Sequence, residues 1–136
     1  MGDRDGGPRL LALLLADHVY RDQASGKHVV AGTFNQLEAP SLPVRFTGPV
    51  TLFASIAGIR DATTFELRFL ELATDQDLLG PHEIELEAAD AGLAIEFSVI
   101  LPPLPLPRPG RYAFRLSSPA GTLGEAPLDV VELAGG

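Results

Sequence analysis

The chain contains no cysteine and no tryptophan. Without cysteine it can form no disulfide bond and has no thiolate to serve as a metal ligand or a nucleophile. Without tryptophan it offers few of the flat aromatic platforms that carbohydrate-binding modules use. The lack of cysteine fits the reducing cytoplasm, and we expect the protein there. No residue pattern requires a cofactor, and none is expected.

Positive charge is scarce as well. Arginine and lysine together number 10 against 18 aspartates and glutamates, which gives a formal net charge of −8. The cationic residues are scattered singly, whereas proteins that bind phosphate backbones cluster them. Nucleic acid is therefore not an expected partner. Only Lys27 is a lysine, and this bias, with abundant alanine, glycine, leucine and proline, indicates a GC-rich bacterial genome.

Long hydrophobic segments are missing, and the one apolar run, residues 10–16, is too short to span a bilayer. We expect no membrane association. Arg9 precedes the run as in a secretion signal, but Asp3 and Asp5 lie before it and no small-x-small cleavage pattern follows, so a cleaved signal is not expected.

The same run also lacks the alternation of a half-buried strand, which predicts cover on both of its faces. The candidates for that cover are a second copy of the chain, another protein, or a loop of the chain folded back over the sheet.

Helical periodicity is absent, and the chain alternates as strands do. The clear segments are residues 65–69, 83–87, 93–101 and 111–116; the less regular ones are residues 10–20, 28–37, 49–57 and 121–132. This pattern predicts an all-β fold, a single-domain antiparallel β-sandwich of seven or eight strands, immunoglobulin-like or C2-like. The domain is expected to cover residues 9–133, after a flexible N-terminal segment of residues 1–8.

Proline concentrates in residues 101–110, where it occupies nearly every second position. Such a sequence adopts extended polyproline geometry, and the leucines between the prolines can still cover apolar surface. We therefore expect a stiff connector that crosses from one sheet to the other.

Three segments carry a resemblance. They are the first strand with Ala-Asp-His-Val-Tyr-Arg-Asp at residues 16–22, the second strand with Gly-Thr-Phe-Asn-Gln-Leu at residues 32–37, and Pro-Gly-Arg-Tyr-Ala-Phe at residues 109–114. In these segments the chain resembles a family of uncharacterised bacterial β-sandwich proteins, a domain of unknown function. The resemblance implies the fold and implies no activity.

Catalytic signatures are absent. The sequence has no nucleophile-elbow pattern, no His-Glu-x-x-His motif and no recognisable serine triad. Gly26 and Lys27 do not form a phosphate loop, because Arg21 stands where the first glycine is required and His28 replaces the serine or threonine. The protein is not expected to be an enzyme.

A metal site is one hypothesis for the first hairpin. If the hairpin centres near Ala24, His18 and His28 emerge on one face, with Asp17 and Asp22 nearby. These four residues are the candidate ligands of the alternative function, a metal- or small-ligand-dependent binding module.

Protein association through the first strand is our first hypothesis. Strict alternation places Leu10, Ala12, Leu14 and Ala16 on one side and Leu11, Leu13 and Leu15 on the other, one set in the core and the other free for an interface. We expect a non-enzymatic intracellular bacterial protein whose interface includes Leu10, Leu11, Leu13, Leu14 and Leu15. A homodimer is the default, with a different protein as the alternative partner. Arginine at position 11 and arginine at position 14 should then have opposite effects, one unfolding the protein and the other leaving a folded monomer.

Overall fold

The structure, a computed structural model, describes residues 7–88, 90 and 92–133. Within them the chain forms twelve strands and no helix. They are β1 (Arg9–Arg21), β2 (His28–Thr33), β3 (Gln36–Ala39), β4 (Val44–Phe46), β5 (Thr51–Ala57), β6 (Thr63–Glu71), β7 (Gln76–Asp77), β8 (His82–Leu86), β9 (Ile95–Ile100), β10 (Leu104–Leu106), β11 (Gly110–Ser118) and β12 (Gly121–Glu132). The predicted all-β fold is confirmed. Nothing helical in the described part of the chain is long and apolar enough to span a membrane.

The predicted number of strands, seven or eight, is wrong. Each of the eight segments expected from alternation contains a strand, but residues 28–37 are divided between β2 and the start of β3. A separate β3, together with β4, β7 and β10, was not anticipated. These strands have only two to four residues, which is too short for a periodic signal. Of the flexible segment predicted over residues 1–8, residues 1–6 lie outside the described residues.

The strands form two main sheets. Sheet A has the order β2-β1-β5-β9, and sheet B has the order β3-β12-β11-β6-β7 with β8 also paired to β6. All pairings are antiparallel except that of β3 with β12, which is parallel. The predicted antiparallel arrangement therefore holds for every pairing but one.

The core lies between the inner faces of the two sheets. From sheet A it receives alternate residues of β5, Leu52, Ala54 and Ile56. From sheet B it receives stacked aromatic rings. The ring centroids of Phe69 and Phe114 are 4.6 Å apart. The side chains of β6 and β11 that enter the core are Phe65, Leu67, Phe69, Tyr112, Phe114 and Leu116.

The proline-rich segment joins the two sheets, as predicted. It leaves β9 in sheet A, forms β10 against β4, and enters β11 in sheet B. Leu104 and Leu106 are buried in the core, at 0% and 1% exposure. The segment is thus both a stiff connector and part of the hydrophobic core.

A buried polar network fastens the end of this connector. Glu71, at the end of β6, is only 2% exposed. Its carboxylate accepts hydrogen bonds from Nη1 of Arg108, at 3.0 and 2.9 Å, and from Oγ1 of Thr74 at 2.9 Å. Tyr112, whose ring stacks on Phe69, donates its hydroxyl proton to the backbone carbonyl of Arg108 at 2.5 Å. The connector is therefore tied to both β6 and β11.

Removal of the Arg108 side chain should destabilise the fold, because it leaves the Glu71 carboxylate buried without its cation. We expect Arg108→Ala to lower the free energy of unfolding by about 2 kcal/mol, less than for a fully buried pair since the guanidinium is half exposed. Arg111, whose Nε lies 3.6 Å from Asp129 in an exposed pair, provides the control. Arg111→Ala should cost under about 1 kcal/mol in urea denaturation. Equal losses for the two variants would contradict the network's role.

Tyr112 should make stability fall at alkaline pH. Burial raises the pKa of Tyr112 above the usual value of 10.0, so the folded chain keeps the phenolic proton where the unfolded chain has lost it. The resulting stability is complete below about pH 10 and is lost as the pH rises through the raised folded pKa. Urea midpoints between about pH 8 and pH 11 should fall less in Tyr112→Phe than in the wild type. Tyr20→Phe, at an exposed site, should retain the wild-type fall, and the same profile for all three proteins would contradict this account.

Candidate functional site

Strand β1 pairs with two different strands along its length. Residues Arg9 to Ala16 pair with β5, and residues Ala16 to Arg21 pair with β2. The two pairings overlap only at Ala16, which is fully buried. The first half of β1 is therefore hydrogen-bonded to a neighbouring strand, β5, along one edge only. The second half forms a hairpin with β2 that extends beyond the end of β5.

A bulge interrupts the first half of β1. The register with β5 shifts between Leu10 and Ala12, so Leu11 stands outside the regular pairing. As a result Leu10 packs against the core on the same side as Leu13 and Leu15. The predicted alternation of two leucine sets is wrong for this reason. Leu11 and Leu14, expected on opposite sides, are both exposed, at 56% and 41%.

The outer face of β5 is covered by the chain itself. Thr51, Phe53 and Ser55 point away from the core yet are only 5–7% exposed. The ring of His28, on β2, lies 5.5 Å from the ring of Phe53, and its Nδ1 donates to Oε1 of Glu96 on β9 at 3.0 Å. Since β2 and β9 are opposite edges of sheet A, the β1–β2 hairpin must cross over the sheet. A segment of the chain folded back over the sheet was one of the three predicted ways to cover the apolar run. The β1–β2 hairpin is such a segment, but it leaves Leu11 and Leu14 exposed.

Gly32 allows the hairpin to bend over the sheet. Its φ is +77°, and a β-carbon there would lie 2.7 Å from Oδ2 of Asp17. Side chains other than hydrogen would thus meet both conformational strain and the carboxylate. The carbonyl oxygen of Asp17 accepts a hydrogen bond from Oγ1 of Thr51 at 3.4 Å, which ties the bend to β5.

Asp22 stabilises the hairpin turn. Its Oδ2 accepts the backbone N–H of Ser25 at 2.8 Å, and Gly26 in the same turn has a φ of +75°. Hydrogen bonds from Ser25, first from its side chain and then from its backbone, lower the pKa of Asp22. The carboxylate is thus engaged in turn formation.

The premise of the metal hypothesis, two histidines on one face, is wrong. Arg21 pairs with His28 and His18 pairs with Ala31, so the hairpin centres between Ala24 and Ser25 and not on Ala24. This shift places His18 and His28 on opposite faces of the ribbon. In the described ranges no group of three or more histidine, aspartate or glutamate side chains is placed to hold a metal ion.

The first half of β1 has a free edge. Among the described residues, 9–14 pair with β5 alone. The carbonyl oxygen of Leu15 accepts the N–H of Phe34 at 3.0 Å, on the side away from β5. Because backbone groups alternate along a strand, Leu13 presents its N–H and C=O to that same side, where the described residues provide no paired strand.

A notch of about 310 Å³ lies beside this edge. It is lined by Leu13, Leu14, Leu15, Thr33, Phe34, Asn35, Ala126 and Pro127. Strand β12 lies against β1 at Leu10, beside Gly124, and lines the notch with Ala126 and Pro127. We call the free edge of residues 9–14, with the exposed Leu11 and Leu14, the first-strand surface.

Sequence reasoning found the leucines of this surface but missed what lies across the notch. Phe34, Asn35, Ala126 and Pro127 come from other strands and loops, and only tertiary structure brings them to β1. Pro127 carried the one usable signal, since a proline within an alternating strand favours an edge position.

The chain belongs to a family of unknown function, DUF6941, which matches residues 11–131. The match covers all twelve strands apart from the first residues of β1 and the last of β12. A search of curated proteins finds no match to the chain. Family membership therefore assigns no activity to the chain.

Removal of the His28 side chain should loosen the hairpin. His28→Ala loses the contact with Phe53 and the hydrogen bond to Glu96, and we expect it to lower the free energy of unfolding by about 1–2 kcal/mol. Amide hydrogen exchange should accelerate in β2 and in β5 beneath it. His18→Ala is the control, because His18 is exposed on the other face of the ribbon. If the two variants match in stability and exchange, His28 does not hold the hairpin.

Proposed function

We propose that the protein acts by protein association through the first-strand surface and is not an enzyme. The observation that carries the proposal is the position of Leu11 and Leu14, which are 56% and 41% exposed beside an unpaired strand edge. Large apolar side chains next to unpaired backbone form a surface that gains from being covered. The default form of such an association is a symmetric dimer.

Burial of the first-strand surface contributes favourable free energy to association. Burial of each exposed leucine contributes about 2 kcal/mol at most. Each backbone hydrogen bond formed along the edge adds about 0.5–1.5 kcal/mol. Together these terms offset part of the free-energy cost of binding. The loss of translational and rotational freedom alone costs about 4–15 kcal/mol.

The outer face of sheet B is a poorer candidate. Arg68 pairs there with Glu66 at 2.9 Å and with Asp77 at 3.1 Å, and Arg115 pairs with Glu125. These charges already have partners within the chain, and exposed ion pairs of this kind are well solvated. A partner would have to desolvate them for little gain.

For the fold class we propose an immunoglobulin-like sandwich. Tyr112 stands near the start of β11, and its hydroxyl bonds the carbonyl four residues upstream, at Arg108. Immunoglobulin-like domains carry a tyrosine corner with this arrangement at the start of a late strand. A cytoplasmic location, in keeping with the absence of cysteine, is likewise part of the proposal.

Replacement of Leu11 or Leu14 by arginine should weaken association without unfolding the protein, because both leucines are exposed. We expect Leu11→Arg and Leu14→Arg each to weaken the dimer by at least roughly tenfold, since a guanidinium resists desolvation. Light scattering on a size-exclusion column gives the mass, and circular dichroism reports the fold.

Two further variants serve as controls. Ile100→Arg alters another exposed apolar side chain of sheet A, at 83% exposure, and should leave association intact. Leu15→Arg places a charge in the core and should unfold the protein. A wild-type chain that is monomeric at every concentration, or Leu11 and Leu14 variants that associate like the wild type, would contradict the proposed function.

A further inference from the structure

We propose that a pocket between the two sheets, beside β8 and β9, binds a single phenolic ring, with the ring among apolar side chains and the hydroxyl at His82. The pocket has a volume of about 130 Å³ and is separate from the notch beside β1, with which it shares no lining residue. The inference therefore goes beyond the proposed function and does not depend on association.

The pocket opens where the edges of both sheets are interrupted. In sheet B, β7 and β8 both pair with β6, but residues 79–81 between them do not. Gly80 has a φ of +82°, and Pro81 has no N–H to donate to a ladder. In sheet A, β9 ends at Ile100, and Pro102 follows in the connector. Residues of both interruptions line the pocket, so the core between them is reached from the side.

The turn that forms one wall of the pocket is fixed by Asp77. Its Oδ1 accepts the backbone N–H groups of Leu79 and Gly80, at 3.2 and 2.9 Å. Its Oδ2 accepts a hydrogen bond from Nη1 of Arg68 at 3.1 Å, which links the turn to β6. The wall is therefore already ordered in the free protein, and a ligand does not have to lose affinity by ordering it.

The size and lining of the pocket indicate one apolar ring. Its floor consists of Leu67, Phe69 and Phe114, and the half-buried Leu79 and Val99 flank it. An apolar cavity of about 150 Å³ in a protein core takes up benzene. A volume of about 130 Å³ thus admits one ring of that size and excludes fused rings. The neighbouring rings of Phe69 and Phe114 favour an aromatic occupant, since aromatic rings pack well on one another.

His82 supplies a polar contact at the mouth of the pocket. It pairs with Leu67, and directly opposed residues project from the same face of a sheet. Because Leu67 enters the core, the exposed imidazole stands on the core side of β8, in line with Ile84 and Leu86. Among the described residues that line the pocket, only His82 has a polar side chain. An imidazole can donate or accept a hydrogen bond from a hydroxyl. The net charge of −8 and the adjacent Glu83 disfavour a carboxylate there.

Methyl NMR during a phenol titration of the wild-type protein tests the site. We expect saturable shifts at the methyl groups of Leu67, Leu79 and Val99, because an aromatic ring shifts the methyl groups that it contacts. Leu13 and Leu14, at the notch, are the internal control and should not shift. Benzene should shift the same methyl groups, whereas benzoate should bind at least roughly tenfold more weakly than phenol. Absence of saturation, or saturable shifts only at the notch, would overturn the proposal.

Substitution of His82 tests the polar contact. His82→Ala should weaken phenol binding by roughly threefold to tenfold, the effect of one lost hydrogen bond, and should leave benzene binding within about twofold of the wild type. His82→Gln retains a donor and an acceptor and should bind phenol nearly as well as the wild type. Equal losses of phenol and benzene binding in His82→Ala would overturn the assigned role of His82.

Filling the pocket provides the second variant. Val99→Phe should place a ring of the protein where the ligand binds and abolish the shifts with both phenol and benzene. Val131→Phe makes the same change at a 40% exposed position outside the pocket and should bind like the wild type. Circular dichroism checks the fold of each. Unchanged phenol binding in a folded Val99→Phe would overturn the site, and if that variant does not fold, the wild-type methyl pattern and His82→Ala decide.

Discussion

Backbone hydrogen bonding in β1 changes partner at Ala16, and the rest of the candidate site depends on that change. Before Ala16 the strand pairs with β5, and after it the strand pairs with β2. Because β5 and β2 lie on opposite edges of β1 and their pairings overlap only at Ala16, each half of the strand has one edge that neither of them pairs. The second half bends over sheet A as a hairpin and is held there by His28. The first half keeps an edge that no described strand pairs.

The irregular backbone is treated differently in two parts of the molecule. Where the connector enters β11, a buried carboxylate, Glu71, receives Arg108 and Thr74, and Tyr112 bonds the Arg108 carbonyl. Polar groups there are satisfied within the chain, as buried groups must be. Around Leu13 the described chain offers no such partner. The contrast separates a region whose polar groups are satisfied within the chain from one where the described residues leave a strand edge unpaired.

Much of the fold could be predicted from periodicity, because alternation reports directly which face of a strand is buried. The eight longer strands, the glycine turn at Gly26 and the proline connector follow from it. The errors share one physical cause, a shift of one residue. The bulge at Leu11 left both Leu11 and Leu14 exposed, and a hairpin centred half a residue later separated His18 from His28. Since side chains alternate with period two, a single residue exchanges the faces, and neither bulge nor turn centre has a signal in the composition.

An unpaired strand edge is informative because edges are a liability. Free strands recruit other strands, and proteins commonly block them with charges, prolines or short length. The chain does so on β8 and at Pro127, and its net charge of −8 opposes non-specific contact between copies at long range. Leu11 and Leu14 stand exposed beside the β1 edge, at 56% and 41%, and for that reason we propose association at this surface and not at the charged faces of the sandwich.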